Sequence, residues 1–207
     1  MAIADKSIAP RILESAKQEF MEYGFERASL KVICEKAGVT TGALYKRYKG
    51  KEELFCAVVE ETVKELDEIA EQKGGTDLRS MTNKELYDTW EMDNAYMLWW
   101  FQFLYDRKDC FVLLISQAQG TRYSNFQHDW VEKMTCSTYA YYQEARKRGI
   151  AQSNISLKEM HVLTSAFWAT IYEPFIHDFS WEEIEEHSNR VCELINWHRA
   201  LKFRKDV

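Results

Sequence analysis

A short basic segment, residues 40–51, stands out because the chain as a whole is acidic. The segment contains two tyrosines and four basic side chains, which are Lys46, Arg47, Lys49 and Lys51. No carboxylate lies between Thr40 and Gly50, although the 207-residue chain has a formal net charge of −6. Lysine and arginine neutralise phosphates and release counterions, so the segment predicts contact with a polyanion. A short basic run is also typical of a solvated surface, and its surroundings must decide between the two interpretations.

Charge is divided unevenly along the chain. Residues 1–54 hold ten Lys and Arg against eight Asp and Glu, whereas residues 55–207 hold seventeen against twenty-five. The balances are +2 and −8. We therefore expect the N-terminal quarter, and not the remainder, to meet an anionic partner.

The composition predicts an all-α fold. Apolar residues make up 46% of the chain, and only two prolines and eight glycines interrupt the helix-forming residues. Strand-like alternation is absent. No apolar run approaches the ~20 residues that span a bilayer, and the N-terminus lacks the features of a signal peptide. We therefore expect a soluble, cytoplasmic protein without a membrane partner.

The residues that bind metals or perform catalysis do not form recognisable motifs. Five scattered cysteines include no C-x-x-C pair, which predicts reduced core thiols and neither a disulfide framework nor a zinc site. The five histidines form none of the paired zinc motifs, and no nucleophile elbow, P-loop or Rossmann glycine pattern occurs. We expect no metal, no cofactor and no enzymatic activity.

The basic segment lies in a predicted helix-turn-helix. A first helix is expected from about Pro10 to Gly24, and a second short helix begins after the capping residue Ser29 and ends at Gly38. Thr40 caps a third, predicted over residues 41–48. Two short helices joined by a turn that contains glycine are the pattern of this motif.

The third helix has an outward face suited to nucleic acid. Leu44 and Tyr48 are four residues apart and are expected to pack inward together. The face left outward comprises Thr41, Gly42, Tyr45 and Lys46. Glycine costs about 0.8–1 kcal/mol relative to alanine in a helix, so Gly42 indicates that a phosphate or base edge approaches the backbone closely.

The remaining chain is predicted to be a larger helical domain, with about nine helices in the whole protein. Its helices are expected over about residues 51–72, 83–105, 109–117 and 126–148, followed by two of about twenty residues each. Capping boxes that mark helix starts pair Thr82 with Glu85, Ser156 with Glu159, and Ser180 with Glu183. The predicted domains are residues 1–54 and 55–207.

Residues 12–55 resemble a known protein family in the residue types at helix ends and at predicted core positions. The matching residues are Ala16, Phe20, Gly24-Phe25, Ser29, Ile33, Ala37-Gly38-Val39, Gly42, Leu44-Tyr45, Lys51-Glu52 and Leu54. In these residues the segment resembles the DNA-binding domain of TetR-family transcriptional regulators. The resemblance implies a helical homodimer that binds a double-stranded DNA operator and releases it when a small-molecule effector enters the C-terminal domain.

The resemblance also implies which residues contact DNA. The candidates are Ser29, Lys31, Thr40, Thr41, Gly42, Tyr45, Lys46, Arg47 and Lys51. Among them Ser29 and Lys51 match phosphate contacts, and Tyr45 matches a backbone contact. Ala43 departs from members that carry a polar base reader there, and it can at most touch a thymine methyl group.

Aromatic residues crowd the C-terminal domain, and they fill a core or line a cavity. In the family this region holds the effector pocket, whose aromatic walls favour flat, apolar or cationic ligands. The effector-binding candidates are Trp90, Trp130, Tyr141 and Phe167.

The resemblance implies a dimer interface on the last two long helices, the alternative being internal packing of a monomer. Its candidates are Ser165, Ala166, Ala169, Thr170, Val191, Leu194, Ile195 and His198.

The leading hypothesis is a ligand-responsive regulator that acts as a repressor. The alternative is an all-helical enzyme or carrier of apolar small molecules without specific DNA binding.

Overall fold

The computed structural model describes residues 7–204, which fold into two compact helical units. Unit 1 contains the described chain up to Leu66 and the segment Arg107–Gln127. Unit 2 contains Asp67–Asp106 and the described chain from His128 onward. Each unit encloses buried apolar side chains of its own.

Eleven α-helices and one π-helical turn make up the described chain, so the all-α prediction is confirmed. The π-helical turn, Leu113–Gln117, follows α7 directly. In chain order the helices are α1 (Ile8–Arg27), α2 (Leu30–Ala37), α3 (Thr41–Tyr45), α4 (Lys51–Gly74), α5 (Asn83–Asp88), α6 (Asn94–Tyr105), α7 (Lys108–Val112), α8 (Phe126–Lys147), α9 (Leu157–Ile176), α10 (Trp181–Leu194) and α11 (Trp197–Ala200).

The division into residues 1–54 and 55–207 stays a prediction. Its outermost residues, 1–6 and 205–207, lie outside the described part of the chain. Unit 1 extends past residue 54 because α1 packs against α7 and the π-helical turn that follows it.

Three phenylalanines form the aromatic centre of unit 1. Phe20 and Phe55 are fully buried and meet edge to face with ring centroids 5.1 Å apart, and Phe25 packs against both rings. Gly24 has φ 73° and ψ 166°, a conformation that glycine adopts readily. The expected helix end at Gly24 is therefore a kink, after which α1 continues to Arg27.

Helix α2 ends in the left-handed turn that the helix-turn-helix requires. Gly38 has φ 63° and ψ 39°, and its N–H donates to the carbonyl of Glu35 at 3.1 Å. The N–H of Val39 donates to the carbonyl of Cys34 at 3.0 Å, so two terminal carbonyls of α2 are satisfied. The chain then enters α3 three residues after Gly38.

Two predicted helices of unit 2 are each broken by an N-cap that the apolar pattern did not reveal. The expected helix over 83–105 divides into α5 and α6, because Asp93 accepts the N–H of Tyr96 at 2.7 Å and starts a new helix. The last expected helix divides into α10 and α11, because Asn196 accepts the N–H of Arg199 at 2.8 Å.

Other predicted helix ends shift by a few residues. The capping boxes at Thr82 and Ser180 are confirmed, whereas Ser156 forms only the half in which its hydroxyl accepts the N–H of Glu159. Helix α3 ends at Tyr45, three residues early, although the N–H of Tyr48 still donates to the Leu44 carbonyl at 2.9 Å.

Unit 2 is built around a buried tyrosine. Tyr142 on α8 donates its hydroxyl to the carbonyl of Ser153 at 2.7 Å and accepts the N–H of Ile155 at 3.0 Å, which fixes the chain between α8 and α9.

All five cysteines are free, but Cys136 is exposed on α8 and is not the core thiol that was expected. Among the described residues no helix combines the length and hydropathy needed to cross a bilayer.

Candidate nucleic-acid interface and ligand cavity

A buried carboxylate holds the start of helix α2. The side chain of Glu19 is 3% exposed, and its oxygens accept the backbone N–H of Ser29 at 3.2 Å and the ammonium of Lys36 at 3.0 Å. The hydrogen bond to Glu19 raises the pKa of Lys36. Because a buried carboxylate is costly unless it is paired, this pairing favours one placement of α2 against α1. Glu19 was not predicted, although its place between Ala16 and Phe20 on the apolar face of α1 is a usable signal.

The hydroxyls of Ser29 and Thr40 act first as helix caps. Ser29 accepts the N–H of Val32 at 3.4 Å, and Thr40 accepts the N–H of Ala43 at 3.2 Å. Each hydroxyl also has an O–H donor, which the cap does not use. The two side chains can therefore donate to a phosphate oxygen while they hold α2 and α3 in place.

The outward face of α3 is open to solvent. Thr41, Gly42 and Lys46 are exposed, and Tyr45 is 54% exposed. Leu44 is fully buried and Tyr48 is half-buried, as expected for the inward face.

Gly42 leaves space at the surface of α3. A Cβ at Gly42 would meet just the Thr40 hydroxyl, at 3.9 Å, so the protein itself does not require glycine there.

Three of the other predicted DNA contacts are basic side chains that already have partners within unit 1. Lys51 donates to the carbonyls of Glu26 at 2.8 Å and Ala28 at 3.1 Å, and Arg47 donates to the carbonyl of Ala43 at 3.0 Å. A lysine ammonium has three donors and an arginine guanidinium has five, so both retain capacity for phosphate. The third is Lys31, which is exposed on α2 and forms a long ion pair with Glu35 at 3.9 Å.

A cavity of about 100 Å³ lies within unit 2, between residues of α4, α6, α8, α9 and α11. Its wall includes Trp90, Trp100, Trp130, Trp168 and Trp197. The Trp130 ring centroid lies 5.6 Å from that of Trp168 and 6.5 Å from that of Trp100. A larger and more open neighbouring cavity shares part of this wall, including Lys73 and Tyr96.

The structure brings three of the four predicted effector-binding residues to one cavity. Trp90, Trp130 and Phe167 line the smaller cavity, whereas Tyr141 lines the larger one and donates its hydroxyl to the Lys73 carbonyl at 3.4 Å. Their contact with a ligand stays a prediction. Lys73 was missed because it lay just past the expected end of α4, where a basic residue is common for helix-dipole reasons.

The positive charge of Lys73 in this wall is not balanced by a carboxylate of the described chain. Its ammonium donates to the Thr138 hydroxyl at 3.3 Å, and within residues 7–204 it forms no ion pair. Burial lowers the pKa of Lys73 to about 8. The indole N–H of Trp90 and the hydroxyl of Thr164 are buried in the same wall and have no hydrogen-bond partner in the described chain.

Comparison with known families decides the classification of unit 1. Residues 12–58 match the family model described as bacterial regulatory proteins, tetR family. Residues 12–58 are therefore similar to the N-terminal domain of the TetR family. The matched segment contains α1 from Ile12, all of α2 and α3, and the start of α4, so it includes Glu19 and every predicted DNA contact.

A curated transcriptional repressor is similar to part of this chain. The HTH-type transcriptional repressor AcnR of Corynebacterium jeikeium is 30% identical over 95 residues, which are 44% of this chain and 50% of that protein. The chain thus spans about half of the length of this curated relative.

Solved TetR-like structures share the fold across both units. GusR of Salmonella enterica has a TM-score of 0.60 at 18% identity and covers 97% of this chain and 98% of its own. The regulator FadR of Bacillus subtilis, solved in complex with stearoyl-CoA, has a TM-score of 0.58 at 15% identity and covers 91% and 97%. At these identities the likeness shows the fold.

The pairing of Glu19 predicts a specific loss when its charge is removed. Glu19→Gln should lower the free energy of unfolding by about 1–3 kcal/mol, because a buried amide replaces a carboxylate that serves two donors. Amide hydrogen exchange at the start of α2 should also become faster. The matched control is Glu22→Gln, since the exposed Glu22 carboxylate lies 3.9 Å from the same Lys36 ammonium. Equal stability and equal exchange in the two variants would contradict this role.

Proposed function

We propose that this chain is a TetR-family DNA-binding transcriptional regulator that responds to a small molecule and acts as a repressor. The observation that carries the proposal is the outward face of α3, where polar, basic and glycine residues are exposed within the segment that matches the family. The repressor AcnR, which this chain resembles over 95 residues, supports the sign of regulation.

The exposed groups suit a DNA surface in chemistry as well as in position. The hydroxyls of Thr41 and Tyr45 can donate to phosphate oxygens, and Lys46 supplies a charge that releases counterions. Lys31 adds a second exposed cation from α2. Because Lys51 and Arg47 also hold unit 1 together, their replacement should reduce stability as well as DNA affinity.

The cavity of unit 2 is the proposed effector site. It is enclosed by aromatic side chains, as is usual for sites that bind small organic molecules. The complex of FadR with stearoyl-CoA shows that a protein of similar fold takes a ligand. Such a ligand can change DNA affinity only if it binds one conformation better than another. Helix α4 is the proposed link, because it begins at Lys51 and carries Lys73 near its other end.

A homodimer is proposed through helix α9 and the end of α10. Val162 is 64% exposed and Leu194 is 73% exposed, and Ala166 lies one turn after Val162 on the same side of α9. Two of the predicted interface residues serve internal packing instead. Val191 is buried in unit 2, and the His198 ring stacks on Tyr87 with centroids 4.0 Å apart.

The proposal includes no enzymatic activity and no cofactor, and it places the protein in the cytoplasm with DNA. Within residues 7–204 no cluster of three or more His, Cys, Asp or Glu side chains is arranged to hold a metal ion. The rival function, a helical enzyme or carrier without specific DNA binding, would leave the outward face of α3 without a partner.

Selection of genomic fragments by the purified full chain tests the proposal. Enrichment of a near-palindromic sequence, with half-sites about one or a few helical turns apart, is the expected result. Recovery of unrelated fragments with equal affinity would overturn it. A screen for small molecules that release the selected DNA then tests the effector response.

Gly42 provides a sharp test of close contact at α3. Gly42→Ala should leave the fold intact and raise helix stability by up to about 1 kcal/mol, because the added Cβ meets no obstacle within the protein. Affinity for the selected DNA should nevertheless fall at least tenfold, measured by fluorescence anisotropy, because the methyl group occupies space that the DNA needs. The control is Gly50→Ala, whose Cβ has nothing within 4 Å. If Gly42→Ala binds as tightly as the control, α3 does not approach DNA at this position.

The dimer prediction concerns the exposed side of α9. Val162→Glu should convert a dimer into a monomer in sedimentation velocity at micromolar concentration, because two buried carboxylates would face each other across the two-fold axis. Gln152→Glu adds one negative charge at an exposed site outside α9 and should remain dimeric. A monomeric wild-type chain, or a dimeric Val162→Glu variant, would refute the proposed interface.

A further inference from the structure

The cavity of unit 2 combines an aromatic wall with polar groups that the fold leaves unsatisfied. The indole N–H of Trp90 and the hydroxyl of Thr164 are buried without a hydrogen-bond partner within the described residues. Lys73 places an ammonium in the same wall and has one hydroxyl partner, Thr138. Buried polar groups normally find partners, so two orphaned donors beside an ammonium without a counter-charge in the described chain indicate that a ligand supplies acceptors.

The positive charge of Lys73 determines whether this aromatic cavity suits a cationic, a neutral or an anionic ligand. An aromatic cage alone favours cations, but the Lys73 ammonium opposes a second positive charge in the same cavity. A neutral hydrocarbon would fill the space and leave the ammonium without a counter-charge. An anionic oxygen acceptor satisfies the ammonium and can also accept from an indole N–H or a hydroxyl.

The size of the cavity limits the apolar part of the ligand. Apolar cavities on the order of 150 Å³ accept benzene, so the smaller cavity of about 100 Å³ can hold no more than a single ring. The larger cavity is more open and adjoins the wall at Lys73, Trp90 and Tyr96, so a substituent on the ring can extend into it.

We propose that this cavity binds an aromatic carboxylate, with the carboxylate paired to Lys73 and the ring enclosed by the tryptophans. The donors of Trp90 and Thr164 are the additional hydrogen-bond partners of the ligand. This inference rests on the proposed function, because it names the chemical class of the proposed effector.

The acidic residues around the larger cavity do not compensate Lys73. Asp88 is paired with Lys84 at 2.5 Å, Asp93 caps α6, and Glu91 is exposed. None of these carboxylates forms an ion pair with Lys73. The lowered pKa of Lys73, which has burial as its cause, agrees with an ammonium that has no nearby negative partner.

Direct binding without DNA tests the inference. Phenylacetate, 3-phenylpropionate and indole-3-acetate are titrated into the full chain by calorimetry, each beside its uncharged amide. We expect at least one carboxylate to bind at least tenfold more tightly than its amide at pH 7. Lys73→Met should abolish this preference, whereas Lys158→Met, on the exposed side of α9 and outside both cavities, should retain it. Trp90→Phe, which keeps a ring and loses the N–H, should weaken the carboxylate by a smaller factor.

The pH dependence of binding gives a second readout that a structural role of Lys73 would not produce. Because the pKa of Lys73 is about 8, carboxylate affinity should fall about tenfold between pH 7 and pH 9 as the ammonium loses its proton. The other titratable groups that face it are the phenols of Tyr96 and Tyr141 and the carboxylates of Asp88, Glu91 and Asp93. Burial raises the pKa of Tyr96, so this phenol stays neutral over the range. Amide affinity should not change.

The results of these binding experiments distinguish failure of the ligand inference from failure of the proposed regulatory function. Carboxylate binding that Lys73→Met leaves unchanged, amides that bind as well as carboxylates, or no carboxylate binding up to millimolar concentration would each overturn it. Specific DNA binding in that case would leave the regulator proposal standing. Conversely, carboxylates that bind through Lys73 but do not release DNA would support the ligand class and count against its effector role.

Discussion

The carboxylate of Glu19 imposes the constraint from which the geometry of unit 1 follows. A charge buried in apolar surroundings must be paired, and its partners are the N–H that begins α2 and the ammonium of Lys36 on that helix. Helix α2 is thereby held against α1 at both its start and its end. The left-handed Gly38 then sets the direction of the chain into α3, and Leu44 anchors α3 from its inward side. Because these contacts use the inward side of α3, its opposite face is left exposed to solvent.

In unit 2, by contrast, some buried polar groups are left without partners among the described residues. Its tryptophans enclose a cavity in whose wall the indole N–H of Trp90 and the hydroxyl of Thr164 lack partners in the described chain. The Lys73 ammonium in the same wall has one hydroxyl partner and no counter-charge within residues 7–204. Unpaired buried polar groups reduce stability, and proteins retain them where a ligand completes the site. In unit 1 the fold satisfies its buried charge internally, whereas in unit 2 the proposed ligand supplies the acceptors.

The features that were predictable from the sequence are those that depend on local chemistry. The caps at Ser29 and Thr40, the turn at Gly38 and the inward direction of Leu44 each follow from a residue type at a fixed spacing, and the structure has all of them. The breaks at Asp93 and Asn196 use the same chemistry, but strong apolar periodicity on both sides concealed them. Lys73 could not be assigned to the cavity, because its environment depends on α6, α8 and α9, which are distant in sequence. For the same reason the sequence did not show that Tyr141 lines the larger cavity with Trp90, apart from Trp130 and Phe167.

The central claim, that the outward face of α3 binds DNA phosphates, is tested most directly by the salt dependence of affinity for a selected DNA site. The logarithm of the association constant should fall linearly with the logarithm of salt concentration, with a slope of about −0.9 for each phosphate contacted. Lys46→Ala should make the slope shallower by about one unit per DNA-binding domain, because Lys46 is exposed on this face. An affinity that does not change with salt, or a Lys46→Ala slope equal to that of the wild type, would contradict the claim.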